Sequence, residues 1–157
     1  MSPVDAIMAG LNLILDLQVV LYIILGMTIG ILVGAIPGIS GIIAVSIMLI
    51  PSFYLSPVHA IVFLTSIYTG SIYGGGITAI LLNIPGAPGA VATGFDGYAM
   101  TKAGHYNESL GVGLASSVVG CITGYFYVLL LFIPIASLVL SFGPPEMLMI
   151  VLFAFTI

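Results

Sequence analysis

Charged residues are what this sequence most lacks. Its 157 residues include one Lys or Arg and five Asp or Glu, so 4% are charged and 61% are hydrophobic. Soluble domains carry about 25% charged residues. No charged residue occurs from Leu17 to Phe95. This composition excludes a soluble enzyme and a disordered tail, and a single basic residue excludes a nucleic-acid binder. We therefore expect an integral membrane protein in a lipid bilayer.

Cysteine is almost absent as well. Cys121 is the one cysteine in the sequence, which excludes a disulfide framework and a multi-cysteine metal site within the chain. No metal site is predicted. The first residues contain Asp5 and Asp16 and no basic residue, so we expect no cleaved signal peptide.

The apolar runs predict helices, because each is uniformly apolar where the strands of a membrane β-barrel would alternate. A helix needs about 20 apolar residues to cross a bilayer. The predicted helical segments are 17–36, 39–50, 57–73, 77–84, 110–133 and 147–157. These lengths correspond to about three full spans and two or three half-spans. Residues 86–109 hold Asp96, Lys102 and Glu108, and they predict a polar loop.

Glycines and other small residues recur at every fourth position in two of these segments. Such a stripe lets a second helix approach closely, so we interpret both stripes as helix-packing surfaces. The first consists of Gly26, Gly30, Gly34 and Gly38, and the second of Ser116, Gly120 and Gly124.

Two copies of the pattern Ile-Pro-Gly-x-x-Gly, at 36–41 and 84–89, each follow an apolar segment. Proline and glycine both end helices, so the sequence predicts broken or re-entrant helices there. The run Gly74-Gly75-Gly76 predicts a third break. Unwound backbone inside a bilayer must line a cavity or be buried in protein. Simple turns at the membrane surface remain the alternative.

Neutral hydrogen-bonding side chains are concentrated near the glycine run. They are Thr65, Ser66, Tyr68, Thr69, Ser71, Tyr73, Thr78 and Asn83. Either they line a polar cavity, or each bonds to a carbonyl of its own helix. No Lys or Arg lies in this region. An anionic ligand would therefore be bound by backbone N–H groups, hydroxyls, the Asn83 amide and helix dipoles.

Several blocks together resemble the large membrane (permease) subunit of the tripartite tricarboxylate transporter family. They read Gly-Ala-Ile-Pro-Gly-Ile-Ser-Gly at 34–41, Tyr-Thr-Gly-Ser-Ile-Tyr-Gly-Gly-Gly-Ile-Thr-Ala-Ile-Leu-Leu-Asn-Ile-Pro-Gly at 68–86, Ala-Thr-Gly-Phe-Asp-Gly-Tyr-Ala-Met at 92–100 and Phe-Gly-Pro-Pro-Glu at 142–146. The resemblance implies a multi-pass permease of the bacterial inner (plasma) membrane. It also implies an all-α fold, and that residues 1–157 form a single membrane domain, the N-terminal part of a longer permease.

The resemblance further implies a secondary transporter, not an enzyme. It would move citrate or related small carboxylates with a small membrane subunit and a periplasmic substrate-binding protein. A Na⁺ or H⁺ gradient would drive it, without a cofactor.

Transferred by position, the substrate-facing residues are Gly38, Ser40, Gly41, Gly74, Gly75, Thr78, Asn83, Pro85 and Gly86. Among these, we expect Ser40, Thr78 and Asn83 to bind carboxylate oxygens, while exposed carbonyls coordinate a coupling cation. The sequence departs from the family at Gly76, where serine is common.

Two other interpretations remain open. Gly-Ile-Ser-Gly at 38–41 fits the Gly-x-Ser-Gly motif of rhomboid-like intramembrane serine proteases, with His59 or His105 as the base. The final apolar segment, 147–157, is too short to cross a bilayer. This favours a fragment, so a nonfunctional or assembly piece of a permease is the second alternative.

Overall fold

The computed structural model describes residues 10, 12 and 15–156, and within them every regular element is a helix. The all-α prediction is confirmed. The helices are α1 (Leu17–Gly34), α2 (Gly41–Ser52), α3 (Pro57–Leu82), α4 (Ala90–Lys102), α5 (Tyr106–Leu140) and α6 (Pro144–Thr156). Both Ile-Pro-Gly patterns lie between helices, as expected from their proline and glycine.

Among the described residues, three stretches are long and apolar enough to cross a membrane: α1, α3 and the part of α5 from Tyr106 to Phe132. The end of α5 and α6 form a pair bent by 96°, which gives a fourth span if the pair is counted as one. The 12 residues of α2 make a helix about 18 Å long, well short of the ~30 Å hydrocarbon core. These results agree with the predicted mixture of full and partial spans.

The helix break predicted at Gly74-Gly75-Gly76 does not occur. The predicted segments 57–73 and 77–84 are one continuous 26-residue helix, α3. Gly74 and Gly75 are buried against neighbouring backbone, whereas a methyl group added to Gly76 would meet nothing within 4 Å. The first two glycines therefore permit close packing instead of ending the helix.

The glycine stripe of α1 packs directly on the backbone of α3. The three members that lie within α1 each face a carbonyl, one turn further along α3 each time: Gly26 faces Phe63, Gly30 faces Ile67 and Gly34 faces Ser71. A methyl group on Gly26 would lie 2.7 Å from the Phe63 oxygen, so no side chain fits between the helices. The predicted packing is confirmed for these three. The packing prediction is wrong for Gly38, which lies beyond the end of α1 with φ +88°.

The contact is reciprocal, since α3 presents glycines to α1. A methyl group on Gly70 would lie 2.6 Å from the Met27 carbonyl oxygen. A methyl group on Gly74 would overlap the Ile31 carbonyl oxygen. Residue numbers rise together along both helices, so α1 and α3 run parallel. Packing of small residues in this manner drives helix association in membranes, where apolar burial contributes little.

Helix α2 returns antiparallel along α3. Gly41 at its start lies beside Ser71, and Ala44 forms a buried cluster with Phe63 and Ile67. Ile67 is fully buried, so this cluster is the apolar core of the three-helix unit.

Residues 86–109, predicted as a loop, contain the helix α4. Its buried positions are Ala90, Gly94 and Gly97, whose helical spacing gives a narrow small-residue face. Gly97 meets the Ile80 side chain of α3, and the Thr101 hydroxyl donates to the Ile80 carbonyl at 2.9 Å. The sequence did not predict this helix, because its buried face consists only of small residues and its other positions include polar ones.

The contacts divide the chain into two compact units, residues 1–115 and 116–157. In the second unit, α5 continues through Pro134 to Leu140, beyond the end predicted at 133. Proline removes one backbone donor, and membrane helices tolerate this loss. After α5, the N–H groups of Ser141 and Phe142 donate to Leu138 and Val139 before α6 begins at Pro144.

We predict that Gly70→Ala destabilises the protein and that Gly76→Ala does not. Both glycines belong to α3, but only the first would force a methyl group against the Met27 backbone. Overpacking of this kind costs about 1–3 kcal/mol, whereas Ala in an open helix position gains up to about 1 kcal/mol over Gly. Unfolding of the purified variants in detergent, followed by circular dichroism, measures both free energies. Equal destabilisation by the two substitutions would contradict the packing described for α1 and α3.

Candidate functional site

The hydroxyl groups concentrated on α3 bond to their own helix. Each donates to a carbonyl three or four residues earlier at 2.7–3.1 Å; the residues are Thr65, Ser66, Thr69, Ser71 and Thr78. The second of the two interpretations of this cluster is therefore confirmed for these residues. A polar cavity, the first interpretation, is not needed to satisfy them.

The groove between α2 and α3 is apolar. It has a volume of about 350 Å³ and is lined by Ile42, Val45, Ser46, Leu64, Thr65 and Tyr68. The Ser46 hydroxyl donates to the Ile42 carbonyl at 2.8 Å, and Thr65 is likewise bonded to its own helix. A small anion would find few hydrogen-bond donors here.

The first Pro-Gly loop, residues 35–40, leads into an open helix N-terminus. Ser40 is the N-cap of α2, but its side chain makes no capping hydrogen bond. Its carbonyl accepts the N–H groups of Ile43 and Ala44. Within the described part of the chain, the N–H groups of Gly41 and Ile42 have no hydrogen-bond acceptor. Ile42 is exposed and Ser40 half-buried, whereas Gly41 is buried beside Ser71, so the Ile42 N–H and the Ser40 hydroxyl are the donors most open to a ligand.

The second Pro-Gly loop, residues 83–89, folds back along α3. Asn83 takes a left-handed conformation with φ 57°, and the next N–H, of Ile84, donates to Thr78 at 3.4 Å. The N–H of Gly86 then donates to the Gly75 carbonyl at 3.3 Å. The chain has thus returned about two helical turns towards the middle of α3.

The two loops meet at the glycines of α3. A methyl group on Gly86 would lie 2.6 Å from the Gly34 carbonyl oxygen and 2.7 Å from the Gly75 Cα. On the adjacent face, one on Gly74 would lie 3.0 Å from the Ala35 nitrogen. We call Gly34, Gly74, Gly75 and Gly86 the glycine junction. It joins the end of α1, the body of α3 and both Pro-Gly loops at one level.

Most predicted site residues lie in or beside the glycine junction. Gly74, Gly75 and Gly86 belong to it, and the buried Thr78 donates its hydroxyl to the Gly75 carbonyl at 3.1 Å. Pro85 precedes Gly86 in the second loop. Gly38 and Ser40 lie in the first loop, where a methyl group on Gly38 would meet nothing within 4 Å, and Gly41 follows, buried beside Ser71.

Asn83 differs from the other predicted site residues. Its amide oxygen faces Gly94 of α4, where an added methyl group would lie 3.5 Å away. Sequence reasoning also missed two positions. Gly34 is the last member of the α1 stripe that lies within the helix. Ser71 contacts two glycines, with its backbone against Gly34 and its side chain against Gly41. The four-residue spacing of small residues was the available signal for Gly34.

The groups around the glycine junction are neutral, so helix ends provide its electrostatics. The N-terminus of α2 follows the first loop and that of α4 follows the second, and helix N-termini attract anions. In α4 the leading N–H groups of Ala90 and Val91 already donate to Ala87 and Pro88. The more open donor set therefore belongs to α2.

The glycine junction lies nearer to one end of the bundle. The 18 residues of α1 place Gly34 about 26 Å from Leu17 along the helix axis, and α3 continues only about 12 Å past Gly74. With a hydrocarbon core ~30 Å thick, an α1 that begins at one boundary ends close to the other.

The serine-protease arrangement does not form between Ser40 and His59. Gly41 lies beside Ser71, and His59 is about 18 Å back along α3 from that level. The Nδ1 atom of His59 lies 2.9 Å from the Ser56 hydroxyl, and that of His105 lies 3.2 Å from the Glu108 carboxylate. In the described residues, neither histidine hydrogen-bonds with Ser40.

Comparison with known proteins identifies the family. Residues 20–157 match the family described as "Tripartite tricarboxylate transporter TctA family". The chain belongs to this family. It is also 37% identical over 131 residues to an uncharacterized 52.8 kDa protein of Agrobacterium vitis, described as lying in the TAR-I ttuC' 3' region. That alignment covers 81% of the chain and 25% of the relative, so the chain spans about a quarter of its length. No solved structure matches.

We predict that Gly86→Ala separates the second Pro-Gly loop from the glycine junction, whereas Gly89→Ala leaves it in place. Both glycines belong to the same Ile-Pro-Gly-x-x-Gly pattern, but a methyl group on Gly89 would meet nothing within 4 Å. Limited proteolysis in detergent should cut the Gly86→Ala variant faster within residues 83–89. Similar cleavage rates for both variants and the unchanged protein would contradict the close approach of Gly86 to Gly34 and Gly75.

Proposed function

We propose that the chain acts as the membrane permease subunit of a tripartite transporter for citrate or related small carboxylates, and that the carboxylate binds at the glycine junction. The binding residues are Gly38, Ser40 and Gly41 of the first loop region and Pro85 and Gly86 of the second. Gly74, Gly75 and Thr78 form the floor on α3. Family membership supports the transporter class.

The observation that carries the proposal is the open N-terminus of α2 beside the junction. A carboxylate accepts hydrogen bonds only, and the Ile42 N–H and the uncapped Ser40 hydroxyl supply donors at partly or fully exposed residues. Hydrogen bonds to a charged group contribute more than neutral ones, about 1.5–3 kcal/mol each. No basic residue is required for this mode of anion binding.

Transport requires the bound carboxylate to face each side of the membrane in turn. The second Pro-Gly loop approaches the end of α1, where the first loop begins, through backbone alone, since Gly86 lies against the Gly34 carbonyl without an intervening side chain. In this mechanism the loops separate to release substrate and close again over an empty site. Thr78 holds the Gly75 carbonyl in its present orientation through its hydroxyl.

The remaining parts of the proposal concern energy and partners. The Gly34 carbonyl oxygen at the end of α1 lies beside Gly86 of the second loop, and carbonyl oxygens are suitable ligands for a coupling Na⁺; a proton gradient is the alternative driving force. A periplasmic binding protein would deliver the carboxylate, and a small membrane subunit would complete the transporter in the bacterial inner membrane. Family membership supports the existence of such partners.

Ser40→Ala tests the proposal, with Ser46→Ala as the matched control. Both serines belong to the α2 region, but the Ser46 hydroxyl is bonded to the Ile42 carbonyl, outside the glycine junction. Removing a hydroxyl that donates to a carboxylate should raise KM about tenfold, and Ser46→Ala should leave it unchanged. The measurement is uptake of radiolabelled citrate and other di- and tricarboxylates by cells that express the transporter with its partner subunits. Unchanged KM in Ser40→Ala, at equal membrane abundance, would remove Ser40 from the site.

A further inference from the structure

We propose that Asn83 is a positioning residue, whose left-handed backbone conformation brings the second Pro-Gly loop onto the glycine junction without its amide contacting substrate. The effect on uptake rests on the proposed function, but the positioning itself does not. Among the described residues other than glycine, Asn83 is the one with a positive φ. Asparagine tolerates this conformation better than most residues, because its short polar side chain can bond locally.

The reversal at Asn83 determines where the loop goes. Its own N–H donates to Ala79 at 3.1 Å, and the following N–H, of Ile84, reaches back to Thr78 at 3.4 Å. The first of these bonds, from Asn83 to the carbonyl four residues earlier, is the one that characterises a helix ending at a left-handed residue, and the second carries the chain back along α3. Had Asn83 stayed right-handed, α3 would have continued away from Gly75. Instead, Gly86 returns to donate its N–H to the Gly75 carbonyl at 3.3 Å.

The side chain of Asn83 is exposed on the side of α4. Its amide oxygen lies beside Gly94 in α4, while Gly86 lies beside Gly34 and Gly75. Asn83 is therefore placed between α4 and the returning loop. The backbone conformation and the side-chain amide can be tested separately. Glycine adopts a positive φ freely and alanine does not, and neither carries an amide.

The positioning can be measured without transport by thiol labelling at Ala87. Ala87 is half-buried, and its nitrogen lies 3.0 Å from where a methyl group on Gly75 would be, so a cysteine at 87 should react more slowly while the loop is docked than after it separates. The experiment uses Ala87→Cys in a Cys121→Ser background, reacted with a maleimide in detergent. Ala103→Cys, at the exposed end of α4, provides the reference for an accessible thiol.

The loss of the left-handed preference should favour undocking of the loop. We expect Asn83→Ala to raise the labelling rate at 87 about tenfold, and Asn83→Gly to leave it unchanged. The rate at 103 should be the same in all variants. The positioning role would be overturned if the thiol at 87 reacted at the same rate in the Asn83→Ala variant as in the protein that retains Asn83. It would also be overturned if the Asn83→Ala and Asn83→Gly variants were labelled equally fast.

Uptake measured in the same variants separates this inference from the proposed function. Retained uptake in Asn83→Gly with loss in Asn83→Ala, at equal membrane abundance, supports both. Loss of uptake in both variants, while labelling still distinguishes them, would overturn the statement that the amide does not contact substrate. Normal uptake in both, with labelling that distinguishes them, would support the positioning role and refute the proposed function of the junction.

Discussion

The direct backbone contact between α1 and α3 is the constraint on which the rest of the site depends. Because Gly26, Gly30 and Gly34 lack side chains, the Cα atoms of these α1 residues lie directly against carbonyl oxygens of α3. In a bilayer this contact gains van der Waals energy, since apolar burial offers little there. It also brings the end of α1 to the level of Gly74, so the first Pro-Gly loop begins beside α3. A larger residue in this stripe would separate the helices and the two loops with them.

Backbone polarity then decides how the loops are used. Within the described residues, the serine and threonine hydroxyls of α3 are bonded to their own helix, and the second loop bonds back to α3 through Ile84 and Gly86. The start of α2 differs, because the N–H groups of Gly41 and Ile42 and the Ser40 hydroxyl have no such partner. Unsatisfied donors near a bilayer cost several kcal/mol unless water or a ligand meets them. The proposed binding of an anion there would supply acceptors for these donors without any basic residue.

Much of the fold could be predicted from the sequence because bilayer helices have a strong signal. The positions of α1, α2 and both Pro-Gly breaks follow from apolar length, proline and glycine, and the α1 stripe follows from its four-residue spacing. Gly74-Gly75-Gly76 was misinterpreted because a glycine can either end a helix or admit a neighbouring backbone, and the neighbour is not visible in the sequence. Helix α4 was missed because Ala90, Gly94 and Gly97 bury a face without large apolar side chains. The return of the second loop to Gly75 and the left-handed conformation of Asn83 depend on tertiary contacts that no local pattern encodes.

Substrate protection of a cysteine at position 40 tests the central claim most directly, namely that a carboxylate binds where the Pro-Gly loops meet. The protein would carry Ser40→Cys in a Cys121→Ser background, with Ser46→Cys as the control on the same helix, and maleimide labelling would be timed in membranes. The account predicts that a carboxylate taken up by the transporter slows labelling at 40 and not at 46, and that glycerol slows neither. Labelling at 40 that is unchanged at saturating concentrations of that carboxylate would contradict the account.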